Sequence, residues 1–231
     1  MRDLLFAPIL WLSVTLLLFE LADRISRRSN RHPLCHPVLL VTPVLIGLLL
    51  ATDTPYPVYR DATAMLTFLL GPAVVGLAVP IWRLRDLIRR MAVPIILALG
   101  AGALTAIVSA VGILALFGAP REILASMAPR ATTTPIAMAM AEQLGGIPAL
   151  AAVIVLFAGI VGAMTATPLF NRMGIADYRA RGFAVGVSAH GIGAARAFQV
   201  DTTAGAFASL GMALNAVATS ALLSLIALFL R

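Results

Sequence analysis

Ser188, His190 and Arg196 share one short stretch, Gly186-Val187-Ser188-Ala189-His190-Gly191-Ile192-Gly193-Ala194-Ala195-Arg196, between apolar runs. A guanidinium presents a planar fork that matches a carboxylate through two hydrogen bonds. Holding that fork at membrane depth costs at least about 2.5 kcal/mol, so something must offset it. Either Arg196 faces a water-filled cavity and binds an anion, or it lies near an interface, where it snorkels or pairs with Asp201. His190 is either a hydrogen-bonded structural residue or a proton acceptor and donor in proton-coupled chemistry. Ser188 adds a neutral donor. Gly191 and Gly193 loosen the helix around them and allow close backbone approach.

A second stretch, Thr132-Thr133-Thr134-Pro135-Ile136-Ala137-Met138, opens a helix after a break. Its hydroxyls can cap that helix, with Pro135 in the first turn. The exposed N–H groups of such a start also attract anions. Met127, Met138 and Met140 are read as packing residues, and Glu142 and Gln143 as solvated. No nucleophile–base pair with an orienting acid occurs, and no phosphate loop, so an enzyme is not expected. The chain has no lysine for such a loop; all seventeen of its basic residues are arginine. Cys35, between His32 and His36, gives three ligands without a fourth, a poor metal site; no metal or cofactor is expected.

These residues need elements that hold them in lipid. The 231 residues are 61% hydrophobic and 12% charged, against roughly 25% charged in soluble domains. Charge-free runs separate Asp3 from Glu20, Arg31 from Asp53, Asp61 from Arg83, Arg90 from Arg121, Glu142 from Arg172 and Asp201 from Arg231. A crossing helix needs about 20 apolar residues. The expected fold is therefore an all-α polytopic membrane protein in a single transmembrane domain over 1–231. Its expected segments are 4–22, 38–52, 62–82, 91–118, 147–170, 182–200 and 203–230, about seven transmembrane helices, plus a re-entrant segment over 122–145. The apolar N-terminus is read as a retained first helix rather than a signal peptide.

Loops 23–37, 83–90 and 171–181 carry eleven of the seventeen arginines, which places them in the cytoplasm and the N-terminus outside. Four crossings then precede Pro120. Helix 147–170 must run inward, so 122–145 cannot cross once; it must enter and return, or lie at the surface. A weak repeat relates 38–118 to 147–230: Ala51-Thr52-Asp53-Thr54-Pro55 and Met164-Thr165-Ala166-Thr167-Pro168 lie 113 residues apart. If 182–200 crosses, the two three-helix repeats are inverted, a common transporter plan. Each middle helix is expected to be broken, the first by Gly71, Pro72, Gly76 and Pro80.

The chain resembles the LrgB/CidB family of bacterial membrane proteins. The matching stretches are Leu70-Gly71-Pro72-Ala73-Val74-Val75 with Pro80, Thr133-Thr134-Pro135-Ile136-Ala137-Met138, Gly145-Gly146-Ile147-Pro148, Ser188 to Arg196, and Gly205-Ala206-Phe207-Ala208-Ser209-Leu210. The resemblance implies two kinds of function in the bacterial cytoplasmic membrane, which do not exclude each other. One is holin/antiholin-like modulation of murein hydrolase activity and autolysis beside a small LrgA/CidA-like partner. The other is transport of small monocarboxylates, as in the related plastid glycolate/glycerate translocator and in members linked to pyruvate uptake. Ala204 stands where family members commonly carry Glu, so a mechanism using that acid is not carried over. The expected site holds a small carboxylate substrate near mid-membrane, between Thr133, Thr134 and Pro135 on one side and Ser188, His190, Gly191, Gly193 and Arg196 on the other. Helices rich in small residues suggest a homodimer or higher homo-oligomer in the lipid bilayer.

Overall fold

Charge-free runs with few turn residues leave the backbone one way to satisfy itself, and the computed structural model, described over residues 8–29, 35, 37–76 and 78–229, is helical apart from short turns. His32 and His36 lie outside these residues; among those described, no group of three metal-ligating side chains occurs. Contacts divide the chain into two compact units, Met1–Gly76 and Leu77–Arg231.

In the first unit, α1 (Pro8–Arg28) packs on α2 (Pro37–Ala51) and α3 (Tyr56–Ala62), and α4 (Ala64–Gly76) follows. Trp11, buried on α1, meets the Tyr59 ring edge-to-face at 5.8 Å. The Tyr59 hydroxyl lies 3.2 Å from Thr15 Oγ1, which itself donates to the Trp11 carbonyl. Pro72 is accommodated inside α4. Helix is described up to Gly76 and again from Ala78, with Leu77 outside the described residues.

The second unit contains α5 (Ala78–Arg83), α6 (Arg85–Arg90), α7 (Ala92–Leu116), α8 (Arg121–Met127), α9 (Thr134–Gln143), α10 (Pro148–Arg172), α11 (Tyr178–Val200) and α12 (Thr202–Phe229). Of the described helices, α7, α10 and α12 are long and apolar enough to cross a membrane, and each spans about 37–42 Å. Ile95 of α7 clusters with Phe207 and Leu210 of α12, and Ile107 of α7 with Leu223 of α12. The two helices therefore run in the same direction.

This differs from the inverted repeat, and α11 supplies the reason. Residues eight apart in a straight helix are about 12 Å apart along its axis. A Cβ built on Gly193 would nevertheless lie 2.6 Å from Val185 Cγ1 and 3.0 Å from the Val185 carbonyl oxygen. The chain reverses at His190, whose φ of 41° and ψ of −132° are non-helical. The arm 178–189 goes in and the arm 191–200 comes back. The segment makes no net crossing, so α7 and α12 keep one direction with α10 opposed to both.

Small residues let the hairpin seat against α12. Cβ atoms on Gly182 and Gly186 would fall 2.1 and 2.0 Å from the carbonyl oxygens of Ala204 and Ala208, so the outgoing arm lies backbone-to-backbone along α12. The returning arm packs through Ala194 and Ala197 onto Ala204 and Ala208. Asp201 closes the turn by accepting the N–H of Thr203 at 2.7 Å and of Ala204 at 3.0 Å, the cap of α12.

Asp177 caps α11 in the same manner, accepting the Arg179 N–H at 2.8 Å. The Arg179 guanidinium and that backbone bond hold its carboxyl below the usual carboxylate range. A depressed folded pKa contributes stability that is present at neutral pH and is lost as pH falls through the folded value. Asp177→Ala is therefore expected to cost about 0.5–1 kcal/mol at neutral pH. In thermal unfolding of the detergent-solubilised protein, the difference from the parent should shrink as pH falls below the ordinary carboxylate range.

Candidate functional site

The region 122–145 also goes out and back. After α8 the chain is non-helical over 128–133 and returns as α9, and Ile147 N donates to Ser126 Oγ at 2.7 Å where the ends meet. Ala137 and Ala141 of α9 form one buried cluster with Ala151 and Val155 of α10. Thr133 is extended (φ −75°, ψ 150°) and makes no side-chain cap; Thr132 Oγ1 donates instead to the Pro129 carbonyl at 2.8 Å. The capping role expected of these hydroxyls is not what they do. Thr134 and Pro135 form the first turn of α9 with its leading N–H groups uncapped by side chains.

Two buried residues bring this helix start to the hairpin tip. Val155 shares this cluster with Ala137 of the first turn of α9, and its carbonyl lies 3.0 Å from His190 Nε2. A carbonyl only accepts, so Nε2 carries the hydrogen and Nδ1 is left as the acceptor. Gly159 makes room for the ring: a Cβ there would lie 2.6 Å from His190 Cε1. Asn215, fully buried midway along α12, makes the second link. Its amide nitrogen donates to the Ala131 carbonyl at 2.8 Å and to the Val187 carbonyl at 3.2 Å. Thr219 Oγ1 donates to Asn215 Oδ1 at 3.2 Å and fixes the amide orientation.

The structure thus joins the Thr133–Pro135 helix start to the Ser188–His190 tip, with Gly191 exposed beyond it and Gly193 buried between the arms. Arg196 sits elsewhere. It lines a cavity of only about 30 Å³ with Ala166, Thr167 and Phe170 of α10, and its Nη1 donates to Gln199 Oε1 at 3.3 Å. Ala166 is eleven residues past Val155, about 16 Å along the helix. Ser188 faces away from His190 and lines a cavity of about 500 Å³ formed by α7, the outgoing arm and Arg130. The motif reading passes over both Arg130 and Asn215. The signal for Asn215 is that it is the one amide in the apolar run 202–229. The signal for Arg130 is a cation inside a segment too broken to face lipid.

The fold is an all-helical membrane class in which two out-and-back segments meet among long apolar helices. The profile of the LrgB-like family matches residues 15–229, and the chain belongs to that family. It is 34% identical to the uncharacterized protein YwbG of Bacillus subtilis, over 93% of this chain and 95% of that one. It is 26% identical to the holin-like protein CidB of Staphylococcus epidermidis, over 95% and 96% of the two chains. An uncharacterized protein of Haemophilus influenzae is 31% identical over 92% of each. No solved structure is significantly similar.

Proposed function

We propose that the chain is a secondary transporter of small monocarboxylates of the glycolate, glycerate or pyruvate type in the bacterial cytoplasmic membrane. The observation that carries this reading is the Asn215 clamp on Ala131 and Val187, which holds two interrupted segments together midway along α12. Irregular backbone at membrane depth belongs where protein or a polar cavity covers it, and transporters build substrate sites from such half-helices.

Orientation follows from charge. The Arg179 guanidinium lies 3.7 Å from Met91 Sδ, so the loop before α7 and the loop before α11 share one end of the unit. That end carries Arg83, Arg85, Arg89, Arg90, Arg172, Arg179 and Arg181, and Arg121, Glu122 and Glu142 lie at the other. With the arginine-rich end cytoplasmic, the hairpin 178–200 enters from inside and 122–145 from outside. By the charge rule alone, the arginine-rich loop 23–37 is also cytoplasmic, which puts the N-terminus outside, with about seven segments at membrane depth. His190 Nδ1 is the atom at which a coupled proton would be held. A homo-oligomer and a small LrgA/CidA-like partner belong to the same proposal.

The test is uptake of labelled pyruvate and glycolate into proteoliposomes. Saturable uptake, with mutual competition and acceleration by an inward proton gradient, is the expected result. A second reading, a holin-like regulator of lysis, is favoured by the name of the CidB relatives. It is the better one if trapped dye leaks through the protein without substrate saturation.

A further inference from the structure

From the cavity beside Ser188, we infer that Arg130, rather than Arg196, is the residue that binds the anion. The cavity of about 500 Å³ is lined by Arg130, by the hydroxyls of Thr105, Ser109 and Ser188, and by small side chains. That volume holds a three-carbon carboxylate with water to spare. The cavity at Arg196 has room for a water or two and nothing larger.

Depth separates the two arginines as well. Arg130 precedes Ala131, whose carbonyl is bonded to Asn215 midway along α12, and its cavity reaches from Ala98 to Ser109 in the middle of α7. Arg196 shares its cavity with Tyr178 and Arg181 at the arginine-rich end. Arg130 is half-buried, and among the described residues no carboxylate lines its cavity and no side-chain hydrogen bond or ion pair engages its guanidinium. A cation held at that depth without a protein counter-charge is offset by an anion that visits it. Ser188 Oγ donates to the Ala184 carbonyl at 2.8 Å, so its lone pairs face the cavity as acceptors for a substrate hydroxyl. The ligand class is therefore a short carboxylate, with a hydroxyl on the neighbouring carbon an added contact.

The assignment rests on the carboxylate reading, and binding separates it from transport. Equilibrium binding of labelled pyruvate to the full-length protein in nanodiscs should be saturable. It should weaken at least tenfold in Arg130→Gln and change less than about threefold in Arg196→Gln. Arg130→Lys should keep part of the affinity. Parent-like binding by Arg130→Gln, or no saturable binding of pyruvate or glycolate by the parent, overturns the assignment. Parent binding without uptake leaves it standing and removes transport, whereas full uptake by Arg130→Gln does the reverse. A variant that leaves Arg130 in place guards against misfolding. In a Cys35→Ser background, labelling of Ser188→Cys by an anionic thiol reagent should slow severalfold when pyruvate is present. Unprotected labelling, or quantitative disulfide-linked dimers showing that a second copy fills the cavity, also overturns it.

Discussion

Gly186→Ala is expected to cost about 3 kcal/mol or more and to abolish monodisperse behaviour in detergent. A Cβ at this position lies 2.0 Å from the Ala208 carbonyl oxygen and 2.8 Å from its Cα. The obstacle is backbone inside a long helix, so no rotamer change relieves it, and the loss belongs at the top of the overpacking range. The outgoing arm would have to lift off α12, carrying Val187 away from Asn215 and the His190 tip away from Val155. Gly100→Ala is the internal control, because nothing lies within 4 Å of its added Cβ. It should stay within about 1 kcal/mol of the parent. Thermal unfolding followed by size-exclusion recovery compares the two. Equal midpoints for both variants would show that the hairpin does not seat on α12 as described.

Some of this arrangement was legible in the residues. Charge-free runs located α7, α10 and α12 because length and polarity are all that a crossing helix demands. Arginine placement ruled out a single crossing over 122–145, and Ser126 meets Ile147 where that segment closes on itself. What failed was the direction of α12. The stretch 186–196 reads as a broken helix, but a break and a reversal use the same small residues. The difference lies in the backbone angle of His190, a side chain that usually keeps φ negative. Placing it there costs about 1–3 kcal/mol, which the packed neighbours must offset. Once 182–200 turns back, the inverted repeat has no odd crossing to invert it.

The site was legible in part for a related reason. Arg196 drew attention because arginine at membrane depth is costly, yet depth is not encoded in sequence position when a segment doubles back. The same hairpin that buries His190 at its tip returns Arg196 to the arginine-rich end. Arg130 carried the same cost in plain view, surrounded by Pro129 and three threonines that explained the segment as irregular. Irregularity and charge were one signal rather than two, since only a polar cavity tolerates both.

Asn215→Ala is expected to disconnect the two segments. The amide serves the carbonyls of Ala131, in the non-helical stretch, and of Val187, in the last turn before the reversal, where a helix runs short of its own donors. Asn215 is fully buried, and each acceptor left without a donor costs about 1–3 kcal/mol. The variant should unfold at a clearly lower temperature and lose at least tenfold in pyruvate uptake. Asn215→Asp is expected to be worse, since an ionised carboxylate is an acceptor only and is forced against two carbonyl oxygens. Thr219→Val, which removes only the group that orients the amide, should cost about 1 kcal/mol and keep measurable uptake. Hydrogen exchange distinguishes a link from ordinary core damage. Protection over 128–133 and over 186–191 should fall together in Asn215→Ala, with α10 unchanged. Loss in one segment alone would mean that each is held independently, and uniform loss across the helices would mean that Asn215 is merely structural.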